Sequence, residues 1–146
     1  MGWSGEEAWI FLSIGDAGPE PATLDKVISR ADSMNHAIPT VEEFEGAIGQ
    51  LLGAGLVAVS ENKYELTRSG RSLYKDINAI QRGHIDRFIE TAKQWRRNAP
   101  TKADPVPWIV DPEGFRQAVE QYGRWFWATY EKLQGRSVTG DDKGDS

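Results

Sequence analysis

The stretch from Thr40 to Thr67 constrains the fold of this chain more than any other part of the sequence. Its apolar residues recur at helical spacing as far as Leu52, and Gly55 follows as a residue that adopts a left-handed backbone without strain. Two short segments rich in strand-forming residues then flank the polar turn at 60–62, and the hydroxyl of Thr67 can cap a further helix. The sequence therefore predicts a helix, a tight β-hairpin and another helix in immediate succession.

Two more helices are predicted ahead of this unit. Ser4 and Glu7 have the spacing of a capping box, in which each side chain accepts a hydrogen bond from the backbone N–H of the other residue. A second helix is expected to begin after Thr23, with the threonine hydroxyl as its cap, and to end before Pro39. Residues 1–80 are thus predicted to form one domain of three helices, a hairpin and a further helix.

The helix after the hairpin is predicted to be long. Apolar residues recur every three or four positions from about Arg68 to Arg97, which indicates a single helix that Gly83 would allow to bend. His84 lies on the apolar stripe of this helix, so we expect it to be a hydrogen-bonded core or interface residue.

The rest of the chain is predicted to be an irregular connection, one more helix and a tail. Three prolines make residues 98–110 extended, and the Asp-Pro pair at 111–112 marks the start of a helix that runs to about Gln134. Residues 81–137 are therefore expected to form a helical extension that packs on the first domain or dimerises. Residues 138–146 are acidic, have nothing to bury and are predicted to be disordered.

Charge is distributed unevenly along the chain, although the net charge is only −5. Residues 1–62 hold two basic and ten acidic side chains, residues 63–102 hold ten basic and four acidic ones, and residues 103–146 hold five basic and eight acidic ones. The positive middle segment can meet a polyanion such as nucleic acid, but a charged run also serves as an ordinary solvated surface.

Several classes of function are disfavoured by composition. The chain has no cysteine, and its two histidines, His36 and His84, are far apart, so neither thiolate chemistry nor a zinc site is expected. No glycine-rich phosphate loop, serine elbow or spaced acid and base pair is present, which predicts a protein that is not an enzyme and needs no cofactor. The absence of a long apolar run and the acidic Glu6 and Glu7 near the N-terminus predict a soluble, cytoplasmic protein with no membrane segment.

The hairpin region carries a resemblance to a known class of proteins. Leu51–Val57 (Leu-Leu-Gly-Ala-Gly-Leu-Val), followed by Tyr64–Gly70 (Tyr-Glu-Leu-Thr-Arg-Ser-Gly) and Leu73, resembles the wing region of winged helix-turn-helix regulators such as the MarR and PadR families. In those families a glycine turns the recognition helix into the first wing strand, and a Leu-Thr-x-x-Gly step turns the second wing strand into the next helix.

The resemblance covers about half of the chain and implies a fold as well as a function. The implied fold is mainly α with a small β-hairpin, namely a winged helix-turn-helix domain followed by a C-terminal helical extension. Regulators of these families commonly dimerise through helices outside the wing domain, which here implies a homodimer through residues 81–134. Because one fold serves many functions, the implied role as a DNA-associated regulator has to be weighed against the local charges.

The third helix is poorly suited to DNA. In a DNA-binding winged helix it would lie in the major groove, yet no lysine or arginine occurs from Pro39 to Asn62. The positions expected to be exposed are Glu42, Glu43, Glu45, Gly46, Gly49, Gln50 and Gly53. Only Gln50 among them has a side chain suited to bases. The first hypothesis is therefore that DNA is contacted through the wing and the following basic helix, with Gln50, Lys63, Arg68, Arg71 and Lys75 as candidate residues.

The second hypothesis is a winged-helix module that binds a protein and no DNA. Its candidate surface on the third helix consists of Glu42, Glu45, Gly46 and Gly49. On the last helix, Trp125, Trp127 and Tyr130 point in several directions around the axis, so one domain face cannot bury all of them. That helix either packs back on the core or forms a homodimer interface, while Trp108 is expected to anchor the proline-rich connection on the core.

Overall fold

The computed structural model describes residues 3–80, 84–101 and 103–139. The helices of these ranges are α1 (Gly5–Ala17), α2 (Leu24–Asn35), α3 (Val41–Gly53), α4 (Arg68–Ile80), α5 (His84–Arg97) and α6 (Pro112–Thr139). Three short strands, β1 (Ala22–Thr23), β2 (Val57–Ser60) and β3 (Lys63–Leu66), form an antiparallel sheet in the order β1-β3-β2. The predicted class, mainly α with a small β-hairpin and a C-terminal helical extension, is confirmed.

The starts of α1 and α3 are fixed by the predicted capping boxes. The N–H of Ser4 donates to the Glu7 carboxylate at 2.8 Å, and the N–H of Thr40 donates to the Glu43 carboxylate at 3.0 Å. Thr23 occupies the capping position of α2, but its hydroxyl makes no capping hydrogen bond, so that detail of the prediction was wrong. Thr23 belongs instead to β1, the two-residue strand that pairs with β3. Such a short strand shows no periodicity in the sequence.

The hairpin of β2 and β3, here called the wing, is fixed to α4 by the Leu-Thr-x-x-Gly step at Leu66–Gly70. The hydroxyl of Thr67 accepts a hydrogen bond from the N–H of Gly70 at 3.0 Å and donates to the carbonyl of Gly55 at 2.6 Å. A β-carbon at Gly70 would come within 2.0 Å of the carbonyl oxygen of Leu56, so only glycine allows this close approach of strand and helix. The predicted turn glycine, Gly55, has a positive φ of 72°.

The helix predicted from Arg68 to Arg97 is two helices, α4 and α5. Arg68, in the first turn of α4, and Arg97, in the last turn of α5, line the same groove. A continuous helix of that length would hold these two residues about 40 Å apart, so the chain must reverse its direction. The predicted bend near Gly83 falls on residues 81–83, which lie outside the described part of the chain. The side chain of His84 lies outside it as well.

Helix α1 lies at the centre of the fold. All of its residues from Glu7 to Ile14 are buried, which is typical of a helix that is surrounded on every side. Helix α5 packs on it through Trp95, whose ring centroid lies 5.4 Å from that of Phe11 and 5.3 Å from that of Trp3. The reversal after α4 therefore buries an apolar face that a single straight helix would leave in water.

Helix α6 packs on the core along its first half. The ring of Phe115 lies 5.5 Å from that of Phe44, and the hydroxyl of Tyr122 donates a hydrogen bond to Asp32 of α2. Helix α6 continues to Thr139, beyond the predicted end, so the tail that was predicted to be disordered from residue 138 begins within the helix. Residues 140–146 lie outside the described part of the chain.

Candidate interaction surfaces

The face of α3 that was predicted to be exposed is largely covered by the proline-rich connection between α5 and α6. Residues 103–110 of this connection are here called the strap. The N–H of Val106 donates to the carbonyl of Gly49 at 2.9 Å, and the N–H of Val110 donates to the carboxylate of Glu45 at 2.9 Å. A β-carbon at Gly49 would lie 2.6 Å from the carbonyl oxygen of Val106. The glycine thus lets the strap lie directly on the helix backbone.

The candidate base-reading residue, Gln50, is buried. It is only 7% exposed and lines a crevice with Trp95 and the strap. The prediction that Gln50 presents an exposed side chain on α3 was therefore wrong, because the strap and Trp95 lie beside it.

The candidate partner surface on α3 is divided by the strap. Glu42 and Gly46 are exposed, and a β-carbon at Gly46 would meet no atom within 4 Å. Glu45 is half-buried and Gly49 is buried, because both contact the strap. The expected continuous acidic surface is therefore reduced to the N-terminal half of the helix. Of the two candidate glycines, Gly49 serves a contact within the chain, and Gly46 stays open.

The four candidate cations on the wing and α4 are all exposed. No ion pair joins Lys63, Arg68, Arg71 or Lys75 to a carboxylate within the described ranges. Arg71 and Lys75 line a cavity beside β3, whereas Arg68 lines the groove between α4 and α5. Arg71 also donates to the carbonyl of Leu66 at 2.8 Å, which ties its guanidinium to the wing.

The wing itself carries more negative than positive charge. Glu61 and Asn62 form its tip with positive φ angles of 53° and 62°, as expected for a two-residue hairpin turn. Lys63 follows the tip, and Glu65 lies on the same strand. The wing therefore offers one ammonium group against two carboxylates, and any positive potential in this region comes from α4.

A buried ion pair links α1 to α5. Both terminal nitrogens of Arg87 donate to the carboxylate of Asp16, at 3.0 and 2.6 Å, and one of them also donates to Asn78 at 3.0 Å. The hydroxyl of Tyr74 donates to the same carboxylate. Burial opposes the charge on Arg87, yet its hydrogen bonds and Coulombic attraction to Asp16 outweigh this and raise its pKa. The pKa of Tyr74 is raised by burial and by the bond to Asp16.

This group was missed from the sequence, where Arg87 was counted only among the ten basic side chains of residues 63–102. Arg87, Thr91 and Trp95 follow one another at intervals of four, and all three are buried. That spacing was the available signal, because it places Arg87 on the inward face of α5. The arrangement holds α1, α4 and α5 together and offers neither a nucleophile nor a free acid and base pair.

The second half of α6 carries a patch of exposed apolar side chains between residues 125 and 133, here called the aromatic end. Its members are Trp125 (58% exposed), Phe126 (40%), Trp127 (57%), Tyr130 (45%) and Leu133 (55%). The rings contact one another, since Trp127 lies 5.5 Å from both Phe126 and Tyr130. The patch continues the stripe that is buried at Phe115 and Tyr122, but it lies past the point where the core ends.

The described ranges include no group of three or more histidine, cysteine, aspartate or glutamate side chains able to hold a metal ion. Among the same residues, no helix has both the length and the apolar composition that a bilayer crossing requires. Comparison of the chain with protein-family models, with curated proteins and with solved structures gave no significant match.

Proposed function

We propose that this protein is a non-enzymatic, winged-helix interaction module that binds a second copy of itself through the aromatic end of α6. The observation that carries the proposal is the exposure of five large apolar side chains within nine residues of one helix. Soluble monomers rarely expose a contiguous apolar patch of more than a few hundred Å². A partner surface would remove these side chains from water.

The size of the aromatic end is consistent with a protein interface. Aromatic side chains bury about 150–250 Å² each, so the uncovered parts of these five residues amount to roughly 500 Å² per chain. A stable interface of standard size buries about 800 Å² on each partner. Phe126, Tyr130 and Leu133 share one face of α6 and would supply part of that area, with neighbouring parts of the helix supplying the remainder.

A second copy of this chain fits the pattern of large and small residues along α6. Gly123 lies inside the helix, where glycine is costly, and a β-carbon there would meet no atom within 4 Å. Two α6 helices can pair antiparallel about a two-fold axis that crosses them at the height of Ala128. Gly123 of each chain then faces Leu133 of the other. The same register places Phe126 opposite Tyr130. Large residues then meet either a glycine or a stacking ring, as a self-complementary two-fold interface requires.

Sedimentation equilibrium of the full chain tests this proposal. We expect the wild-type chain to dimerise, and the Leu133→Lys and Phe126→Lys variants to be monomers with unchanged helical circular dichroism. Gln121→Lys adds the same charge at an exposed position of α6 outside the aromatic end, so it should remain a dimer. A wild-type chain that is monomeric at every soluble concentration would rule the proposal out.

A second candidate function is contact with DNA through α4. It is supported by the exposed Arg68, Arg71 and Lys75 on one helix, with no carboxylate near enough for an ion pair in the described ranges. Contact through α3 is opposed by its carboxylates and by the strap. The candidate therefore requires backbone contacts from α4, with Lys63 of the wing beside them.

Titration with mixed-sequence duplex DNA at about 50 mM salt tests the second candidate, because phosphate contacts are strongest at low salt. Reversing the charges of Arg68, Arg71 and Lys75 together should abolish binding. Reversing the exposed Lys26 and Arg30 of α2 should have a much smaller effect. The absence of binding by the wild-type chain at this salt concentration would eliminate the candidate.

A further inference from the structure

We propose that the cavity between the end of α1, β3 and α4 binds a small molecule that has an apolar body and one carboxylate group. The cavity has a volume of about 390 Å³, which falls in the range of small-molecule sites. It lies apart from the aromatic end of α6, so this inference does not depend on the proposed self-association.

The inner wall of the cavity is largely apolar. Ile14 and Leu66 are buried and contribute aliphatic surface, and the half-buried ring of Tyr74 forms one side. A β-carbon at Gly15 would come within 2.3 Å of the Tyr74 ring, so glycine is what allows the ring to lie against the backbone of α1. The result is a concave apolar surface that a flat or aliphatic ligand body can cover.

The charges at the cavity favour an anion. The negative charge of Asp16 is already balanced by Arg87, whose guanidinium donates to its carboxylate, and the hydroxyl of Tyr74 donates to the same group. Of the remaining charged residues that line the cavity, Arg71 and Lys75 are cationic and Glu65 is anionic. Neither cation forms an ion pair within the described ranges, so a ligand carboxylate would supply the missing counter-charge.

Arg71 is held in position by the protein. One of its terminal nitrogens donates to the carbonyl of Leu66 at 2.8 Å, which orients the guanidinium at the cavity. An arginine side chain has five N–H donors, so most of them are left for a ligand. This combination of an apolar interior with an oriented cation distinguishes the cavity from a surface that contacts only phosphates.

Calorimetric titration of the full chain with 2-naphthoate tests the proposal, with 2-naphthylmethanol as a neutral probe of similar shape. We expect 2-naphthoate to bind at least about tenfold more tightly than the alcohol. Equal affinities for the two probes would overturn the assignment of an anionic ligand. No detectable binding of either probe would overturn the site itself.

Variants locate the binding on the protein. Lys75→Gln should weaken 2-naphthoate binding by about tenfold and leave the alcohol unaffected, because it removes one of the two positive charges at the cavity and keeps a side chain of similar length. Arg68→Gln is the matched control, since Arg68 is an exposed cation on the same helix that does not line this cavity. An equal loss of affinity in both variants would show general surface attraction and contradict the proposal.

Discussion

Gly53 and Asp104 lie so close together that a β-carbon at position 53 would come within 1.9 Å of the carbonyl oxygen of Asp104. Gly53 is the last residue of α3, and Asp104 lies in the strap. Together with the hydrogen bonds at Gly49 and Glu45, this contact joins α3 and the strap along most of the length of the helix. The face that a winged helix would turn towards DNA is therefore a packing surface in this chain.

Gly53→Ala should destabilise the protein by about 1–3 kcal/mol, because the added methyl group forces the strap away from α3. Gly46→Ala is the matched control, since a β-carbon there meets nothing within 4 Å. It should stabilise the protein by about 0.5–1 kcal/mol through the higher helix propensity of alanine. Urea denaturation measures both values, and a stabilising Gly53→Ala would contradict the close contact.

Glu45→Ala should loosen the strap, because the carboxylate of Glu45 accepts the N–H of Val110 at 2.9 Å. The expected loss in the free energy of unfolding is about 1 kcal/mol, and the amide of Val110 should exchange its hydrogen faster. Glu45→Gln keeps an oxygen acceptor and should have a smaller effect on exchange. Unchanged exchange at Val110 in Glu45→Ala would show that the bond does not hold the strap.

Asp16→Ala should be one of the most damaging polar substitutions in the chain, because it leaves the buried guanidinium of Arg87 without its carboxylate. The side chain of Arg87 is only 8% exposed, and loss of one partner of such a pair costs about 3–5 kcal/mol. The double variant Asp16→Ala with Arg87→Met should be more stable than Asp16→Ala alone. Glu90→Ala, which breaks the exposed pair with Lys93, should change stability far less.

Stability should fall at high pH because of Tyr64. Burial raises its pKa from 10.0 to about 12, so the phenol stays neutral in the folded chain while it ionises in the unfolded chain. The folded state then binds more protons above pH 10, and the free energy of unfolding decreases as the pH rises from 10 towards 12. Tyr64→Phe should lack this contribution, so the stability difference between the two proteins should change over that interval. A constant difference would argue against the raised pKa.

The sequence by itself determined the features that are completed within a few residues. The capping boxes of Ser4 and Thr40, the turn at Gly55 and the cap at Thr67 each depend on a partner three residues away or on the conformation of one residue. Such features can be predicted because their hydrogen bonds close locally, whatever the rest of the chain does. Together they were sufficient to order the helices and the hairpin, and so to predict the mainly helical fold.

Only the tertiary structure decided which of the predicted surfaces remain available. The burial of Gln50, the strap over Gly49 and the pairing of Asp16 with Arg87 all join segments that are far apart in the sequence. The same glycines on α3 are compatible with an external partner or with the strap, and helical periodicity does not reveal where a chain reverses. These outcomes depend on which segments can pack side by side, because a local pattern can show which face of a segment is buried but not which distant segment covers it.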